Sequence, residues 1–536
     1  MKISFYRRLL KALIFLMSSF YIVNAQRATD SSRVRLLSNE NWWAGVVRDG
    51  NLMPFGSGSA YSVNMWANNK GNQIQPLLLS DKGRVIWSDS PIKFSINENI
   101  IKVESFGSPI EISQANGKSN LKDAFKYASF KYFPPSGKIP DILLFTKPQY
   151  NTWIELMYDQ NQKDILEYAE NIVSNGFPPG VIMIDDNWQE DYGKWEFHKG
   201  RFSEPKAMVN SLHAMGFKVM LWVCPFISPD SDIYRELKTK KYLIQETTGD
   251  NNPLIVRWWN GASAVLDFTN PGAVEWFKEQ LHTLSNTYGI DGFKFDAGDS
   301  YFYKGPLLSY KEVTPNYHTL TFQQFGLEYP LNEYRASWKM GGQPLAQRLH
   351  DKDHNWEDLQ ILIPQMLLQG IIGYPFNAPD MIGGGQFGSF LNLDAVDQEL
   401  IVRSTQVHAL MPMMQFSVAP WRVLDEEHLK AVKTAVGVRE HYMPVILDLV
   451  EKAAKNGDPI VRLMEYEFPD AGFEEIKDQF MLGSDILVAP VLKKGASSRK
   501  VMFPKGEWIW KGKNYKGGTT TEVTVGLDDL PVFRRK

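Results

Sequence analysis

The sequence predicts an α/β fold: a (β/α)8 TIM barrel set between an N-terminal β-sandwich and a small C-terminal β-domain. Three observations lead there. Apolar runs alternate with amphipathic helical stretches from about residue 141 to 440. The segments on either side are β-rich and punctuated by Gly, Pro, Asn and Ser. Polar residues follow one apolar run after another, as they do at the carboxyl ends of barrel strands, where active sites form. Eight strand-helix repeats over roughly 300 residues fit a closed barrel better than a doubly wound sheet.

The first 25 residues read as a signal peptide. "MKISFYRRLLK" is basic, "ALIFLMSSFYIV" is apolar, and "VNA" before Gln26 offers a small-residue cleavage site. The apolar stretch is shorter than the roughly 20 residues of a membrane span, so a secreted or periplasmic protein is expected rather than an anchored one. Residues 26–140 are assigned to the N-terminal sandwich on "GRVIWSD", "IKFSINENIIKVESF" and "SFKYFPP". In the barrel, 141–440, strands are expected at 142–147, 180–186, 218–225 and 292–298, and near 334–339, 345–351, 370–380 and 409–417. Among the helices between them, "PGAVEWFKEQLHTLSNTYG" opens on Pro and closes on Gly. Residues 441–536 return to β-character in "QFMLGSDILVAPVL" and "TTTEVTVGL".

Composition narrows the function. A net charge of −3 with mixed signs points away from nucleic acid and from anionic membrane surfaces. The single cysteine, Cys224, lies in the apolar run "VMLWVCPF" and reads as a buried hydrophobe rather than a nucleophile. Sixteen tryptophans, several beside polar loop residues, suit stacking on sugar rings, although packing explains many such residues.

The chemistry is carried by acids at strand ends. "GIDGFKFDAGDS" runs from a strand into Asp296, which is either a cap for the next turn or a catalytic acid at the barrel mouth. Asp185 and Asp186 end the second strand, Arg335 lies by the fifth, Asp351 ends the sixth and Asp380 the seventh. Paired carboxylates without a metal-ligand cluster suggest glycoside hydrolysis with no cofactor and no metal, one acid attacking and the other donating a proton. "GGGQFG" at 383–388 matches a dinucleotide loop in letters only, because no second half of such a fold accompanies it. "HDKDH" at 350–354 lacks the glutamate and the helix of a zinc motif.

These motifs resemble glycoside hydrolase family 31. "DGFKFDAGD" is similar to its nucleophile segment, which implies that Asp296 is the nucleophile. "HDKDHNWEDL" is similar to its acid/base segment, which implies Asp351, with Asp353 as rival. Arg335, sixteen residues earlier, falls on the family's sugar-binding arginine. "YNTWIEL", "IDDNWQ" and "GYPFNAPDMIGG" resemble the branch that holds bacterial α-galactosidases and the myogenesis-regulating glycosidase. The His that α-glucosidases carry near the eighth strand is replaced by "MPMMQFS". The resemblance implies a retaining exo-α-glycosidase, with α-galactose as the expected sugar and an oligosaccharide or glycoside as substrate; α-glucosidase activity and a catalytically silent carbohydrate-binding protein are the alternatives. Asp185, Asp186, Arg335, Lys294 and Asp380 are expected to bind substrate, with Trp153, Trp188, Trp222 and Trp258 as walls.

Overall fold

A computed structural model describes residues 28–117, 119–247, 250 and 252–536. The expected leader lies outside the described residues. Eight parallel strands form the barrel, numbered here β1 (Gln149–Asn151), β2 (Val181–Ile184), β3 (Lys218–Val223), β4 (Gly292–Phe295), β5 (Asn332–Tyr334), β6 (Gln347–Arg348), β7 (Asn377–Ala378) and β8 (Gln415–Phe416). Consecutive strands pair from β1 to β7, β8 pairs with β1, and the N–H of Ile382, just past β7, donates to Gln415 O of β8 at 2.8 Å to complete the ring.

Helices fill the outer layer. Pro271–Tyr288 starts with Pro in its first turn and stops at Gly289, whose φ of +86° suits a residue without Cβ. Strands β2, β3 and β4 are buried along their length apart from Lys218 at the rim, hence their continuous apolar runs. Cys224, just past β3, is fully buried, and burial raises its thiol pKa.

The N-terminal region consists of two antiparallel sheets. One joins Asp30–Arg35, Tyr61–Asn64, Ile92–Asn97 and Ile100–Ser105, the other Trp42–Val46, Gln73–Ser80, Arg84–Ser88 and Ile110–Gln114. The C-terminal region has a six-stranded sheet and a two-stranded one, with a separate core around Trp508, Phe503 and Phe533. The sandwich has no such independence: its buried Trp42, Trp87 and Ile86 belong to the same packed cluster as the barrel.

Four expectations are corrected. Residues 142–147 hold a short helix, Leu143–Thr146, and β1 follows at Gln149. "SFKYFPP" is the end of helix Leu121–Tyr132, not a strand. In "YRASWK" only Tyr334 belongs to the barrel; Ser337 and Trp338 instead pair in parallel with Gln73 and Ile74 of the sandwich. The boundary expected at 440 falls within one helix, Glu426–Asn456.

Candidate active site

The turn after β4 explains "DAGD". Asp296 N–H still bonds to Val223 O of the neighbouring strand, and then the chain reverses through Ala297 (φ +58°) and Gly298 (φ +72°). A left-handed alanine is a strained choice of the kind found at functional sites. At Gly298 a Cβ would lie 2.5 Å from Phe322, so only glycine fits. The turn sends Asp296 into a cavity and places Asp299, fully buried, behind it.

Arg335 joins the two acids. Its Nε donates to Asp296 Oδ1 (3.1 Å) and its two Nη groups to Asp299 (3.2 and 2.7 Å). Trp222 Nε1 donates to Asp296 Oδ2 at 3.1 Å. Burial by itself would raise the pKa of Asp296; the positive charges of Arg335, Lys294 and Arg348 outweigh it and hold this carboxyl well below the usual range. Asp296 is therefore an ionised carboxylate whose oxygens are aimed by a guanidinium and an indole.

Asp351 reaches the same cavity from beyond β6 and accepts from Arg348 Nη1 at 2.6 Å. Arg348, buried, also bonds Glu333 (3.0 Å) and Asp380 (3.2 Å). Asp353, by contrast, is exposed, accepts from Ser389 at 3.3 Å, and does not line this cavity. The two histidines of "HDKDH" part company: His350 faces Asn72 and Lys352, and His354 faces Gly383 O and the Asp397 N–H.

Across the cavity, Asp185 pairs with Lys294 Nζ at 2.6 Å, both buried. Among the described residues Asp186 has no cation: it accepts from Tyr192 Oη (3.1 Å) and from the amide of Asn260. Burial and the adjacent Asp185 charge push its pKa up to about 7.

The cavity holds about 330 Å³. It gathers eight of the eleven residues expected from the sequence: Asp296, Asp351, Asp185, Asp186, Arg335, Lys294, Trp153 and Trp222. Three are corrected. Trp188 is fully buried and donates to Trp222 O at 2.8 Å, supporting that strand from behind. Trp258 stacks parallel to Trp222 with ring centres 6.4 Å apart and donates to Ser263, one layer outside the cavity. Asp380 is fully buried behind Arg348 and accepts from the N–H groups of Lys352 (2.6 Å) and Gly385 (2.7 Å).

Several wall residues were missed. Trp259 lines the cavity, with the Arg335 guanidinium 5.7 Å from its ring centre. Trp259 stands in the turn just past the strand Ile255–Trp258, so "RWWN" announced two tryptophans without saying which one reaches the cavity. The loop "GGGQFG" contributes Gln386 and Phe387, and Gly385 O accepts from Trp153 Nε1 at 3.0 Å. The sandwich contributes Arg48 and Gly71; Gly71 O accepts from Arg335 at 2.7 Å, Asn69 bonds Asp299 at 3.0 Å, and Gln73 bonds the carbonyls of Arg335 and Arg348. Nothing local in the sequence marks these positions, because they act across more than 200 residues of chain.

Acids and cations converging from the carboxyl ends of successive strands define a barrel with an enzyme-type site at the usual face. Residues 144–449 match the glycosyl hydrolases family 31 TIM-barrel domain and 457–536 the glycosyl hydrolase family 31 C-terminal domain, and the chain belongs to glycoside hydrolase family 31. It is 34% identical over 424 residues to the myogenesis-regulating glycosidase of Mus musculus, covering 77% of this chain and 58% of that one. It is 26% identical over 408 residues to alpha-glucosidase 2 of Bacillus thermoamyloliquefaciens, covering 70% and 50%. The chain thus spans little more than half the length of these curated relatives. Among solved structures, the Flavobacterium johnsoniae GH31 dextranase superposes with a TM-score of 0.82 at 21% identity, covering 95% of this chain and 67% of that one, which shows the shared fold.

Proposed function

We propose that the protein is a retaining exo-α-glycosidase that removes terminal α-galactose. The observation that carries the reading is the pair of acids opening into one cavity from separate strand ends, with the Asp296 carboxylate held ionised by Arg335 and Lys294. Asp296 attacks the anomeric carbon, and Asp351 gives its proton to the leaving oxygen. Asp351 then takes a proton from the water that releases the sugar, so the configuration is retained. The galactose reading is supported by the Asp185–Asp186 corner, a buried polar pair able to discriminate the orientation of one hydroxyl. It is supported also by β8, where Ser417 is fully buried and accepts from Ile154 N–H instead of presenting an imidazole to the cavity. Export is part of the proposal, on the strength of the leader-like residues 1–25.

The test is a nitrophenyl glycoside panel. The wild type is expected to give a kcat/KM ratio above one for α-galactoside over α-glucoside, and Asp296→Asn to lose turnover by about 10³-fold or more. Asp351→Ala should slow substrates with poor leaving groups far more than activated ones, and azide should restore part of its rate. A ratio below one overturns galactose but not hydrolysis. If Asp353→Ala shows the leaving-group pattern and Asp351→Ala does not, the acid is Asp353.

A further inference from the structure

We propose that Arg48, carried into the barrel mouth by the sandwich, selects the leaving group and favours an aglycone that bears a carboxylate. The inference rests on the reading above, in which Asp351 protonates the leaving oxygen, so that the side chains around Asp351 face the aglycone.

The backbone of Arg48 is clamped. It lies in a short 3-10 turn, Val47–Leu52, packed on the helix Trp356–Ile371 that follows Asp351. Gly50 makes that approach possible, since a Cβ there would lie 3.0 Å from Gln365 Cα and from Pro364 O. Gln365 Nε2 then donates to Arg48 O at 2.7 Å. The side chain, by contrast, is exposed to the cavity, and among the described residues its guanidinium has neither a hydrogen-bond nor an ion-pair partner. Each of the other three cations lining the cavity has a carboxylate: Lys294 has Asp185, Arg335 has Asp296 and Asp299, and Arg348 has Glu333, Asp351 and Asp380.

Its position points to the aglycone. Arg48 and Asp351 line the same cavity, and the turn that holds Arg48 packs on the helix Trp356–Ile371, which starts shortly after Asp351. Asp49, its neighbour in the chain, is already bound to Lys70 and Tyr61. In the reading above, Asp351 marks the side of the cavity from which the leaving group departs. Four cations and four carboxylates line the cavity. Of the four cations, Arg48 is the one without a carboxylate of its own among the described residues. A guanidinium presents a planar fork of donors that a carboxylate accepts in two parallel bonds, whereas an isolated neutral amide or hydroxyl cannot supply the charge. Arg48 is thus a specificity residue, not a catalytic one.

The experiment compares the 4-(carboxymethyl)phenyl α-glycoside with its carboxamide, two aglycones of nearly equal leaving ability, using whichever sugar the wild type cleaves. The wild type is expected to favour the carboxylate about tenfold in kcat/KM, the scale of a hydrogen bond to a charged group. Arg48→Gln should bring the ratio to about one, Arg48→Glu should invert it, and Arg48→Lys should restore part of it. Added salt should shrink the wild-type ratio. Equal rates on the two aglycones in the wild type, or an unchanged ratio in Arg48→Gln, overturns the inference alone. A loss of rate on both substrates in equal measure makes Arg48 structural and overturns it too. Cleavage of no α-glycoside at all overturns the parent reading and this one with it.

Discussion

Asp185 and Asp186 are neighbours in sequence, but among the described residues only Asp185 has a cation. Asp186 sits in a buried corner among neutral donors, and its carboxyl is pushed up to about 7 by burial first and then by the Asp185 charge. The folded protein therefore holds a proton there over a range in which the unfolded chain has released it. The stability that this proton confers is complete below the ordinary carboxylate range near 4 and is lost as pH rises through about 7. Asp186→Asn keeps the shape and removes the titration. Its Tm relative to wild type should rise between pH 4 and 7, by on the order of 2 °C or more, and level off above 7. Calorimetry at pH 4.5, 6 and 7.5 checks this, and a pH-independent difference would count against the buried, unpaired carboxyl.

The fourth strand shows how much an element can reveal in sequence. Its glycine, its two aromatics and its terminal aspartate were legible because they stand together in one short run that ends on a carboxylate. At Gly292 an added Cβ would sit 2.1 Å from Leu331 O, where β4 and β5 run side by side. Gly292→Ala should therefore destabilise the protein by about 3 kcal/mol, since a carbonyl inside a parallel ladder cannot swing aside. Urea unfolding measures it; a loss under 1 kcal/mol would mean that the strands part easily. The first strand shows the opposite. Gln149–Tyr150–Asn151 is fully buried but mostly polar, so it has no apolar run to announce it, while the apolar "LLFT" just before it is helical. Short apolar runs do not distinguish strand from helix. Among site residues, Asp296, Asp351, Arg335 and Lys294 were readable from strand-end placement or family likeness. Trp188 and Trp258 were misplaced because aromatic content says nothing about which rings meet the cavity and which pack behind it.

At the scale of the molecule, the sandwich is part of the site rather than an appendage. Arg48, Asn69, Gly71, Asn72 and Gln73 all reach barrel residues at or beside the cavity, and the two regions share one apolar core. A chain without residues 28–117 should fail to form a soluble barrel, or form one without turnover although Asp296 and Asp351 remain. Solubility, circular dichroism and the nitrophenyl assay check this; a soluble, active barrel would show that the sandwich contributes nothing essential. The shared sheet also sets a timetable. The Gln73–Ile74 end of a sandwich strand meets its parallel neighbour, Ser337–Trp338, only after more than 260 further residues have been made, the same separation that divides Gly71 from Arg335. At ribosomal rates of about 5–20 residues per second, that wait lasts roughly 13–50 s. Through it the sandwich has backbone groups still lacking partners, and Gln73–Ser80, every residue of which is buried in the finished protein, has not yet been covered by the barrel. The sandwich, made before the barrel, is thus finished only with it, and a nascent chain of this protein needs protection of Gln73–Ser80 until its middle arrives.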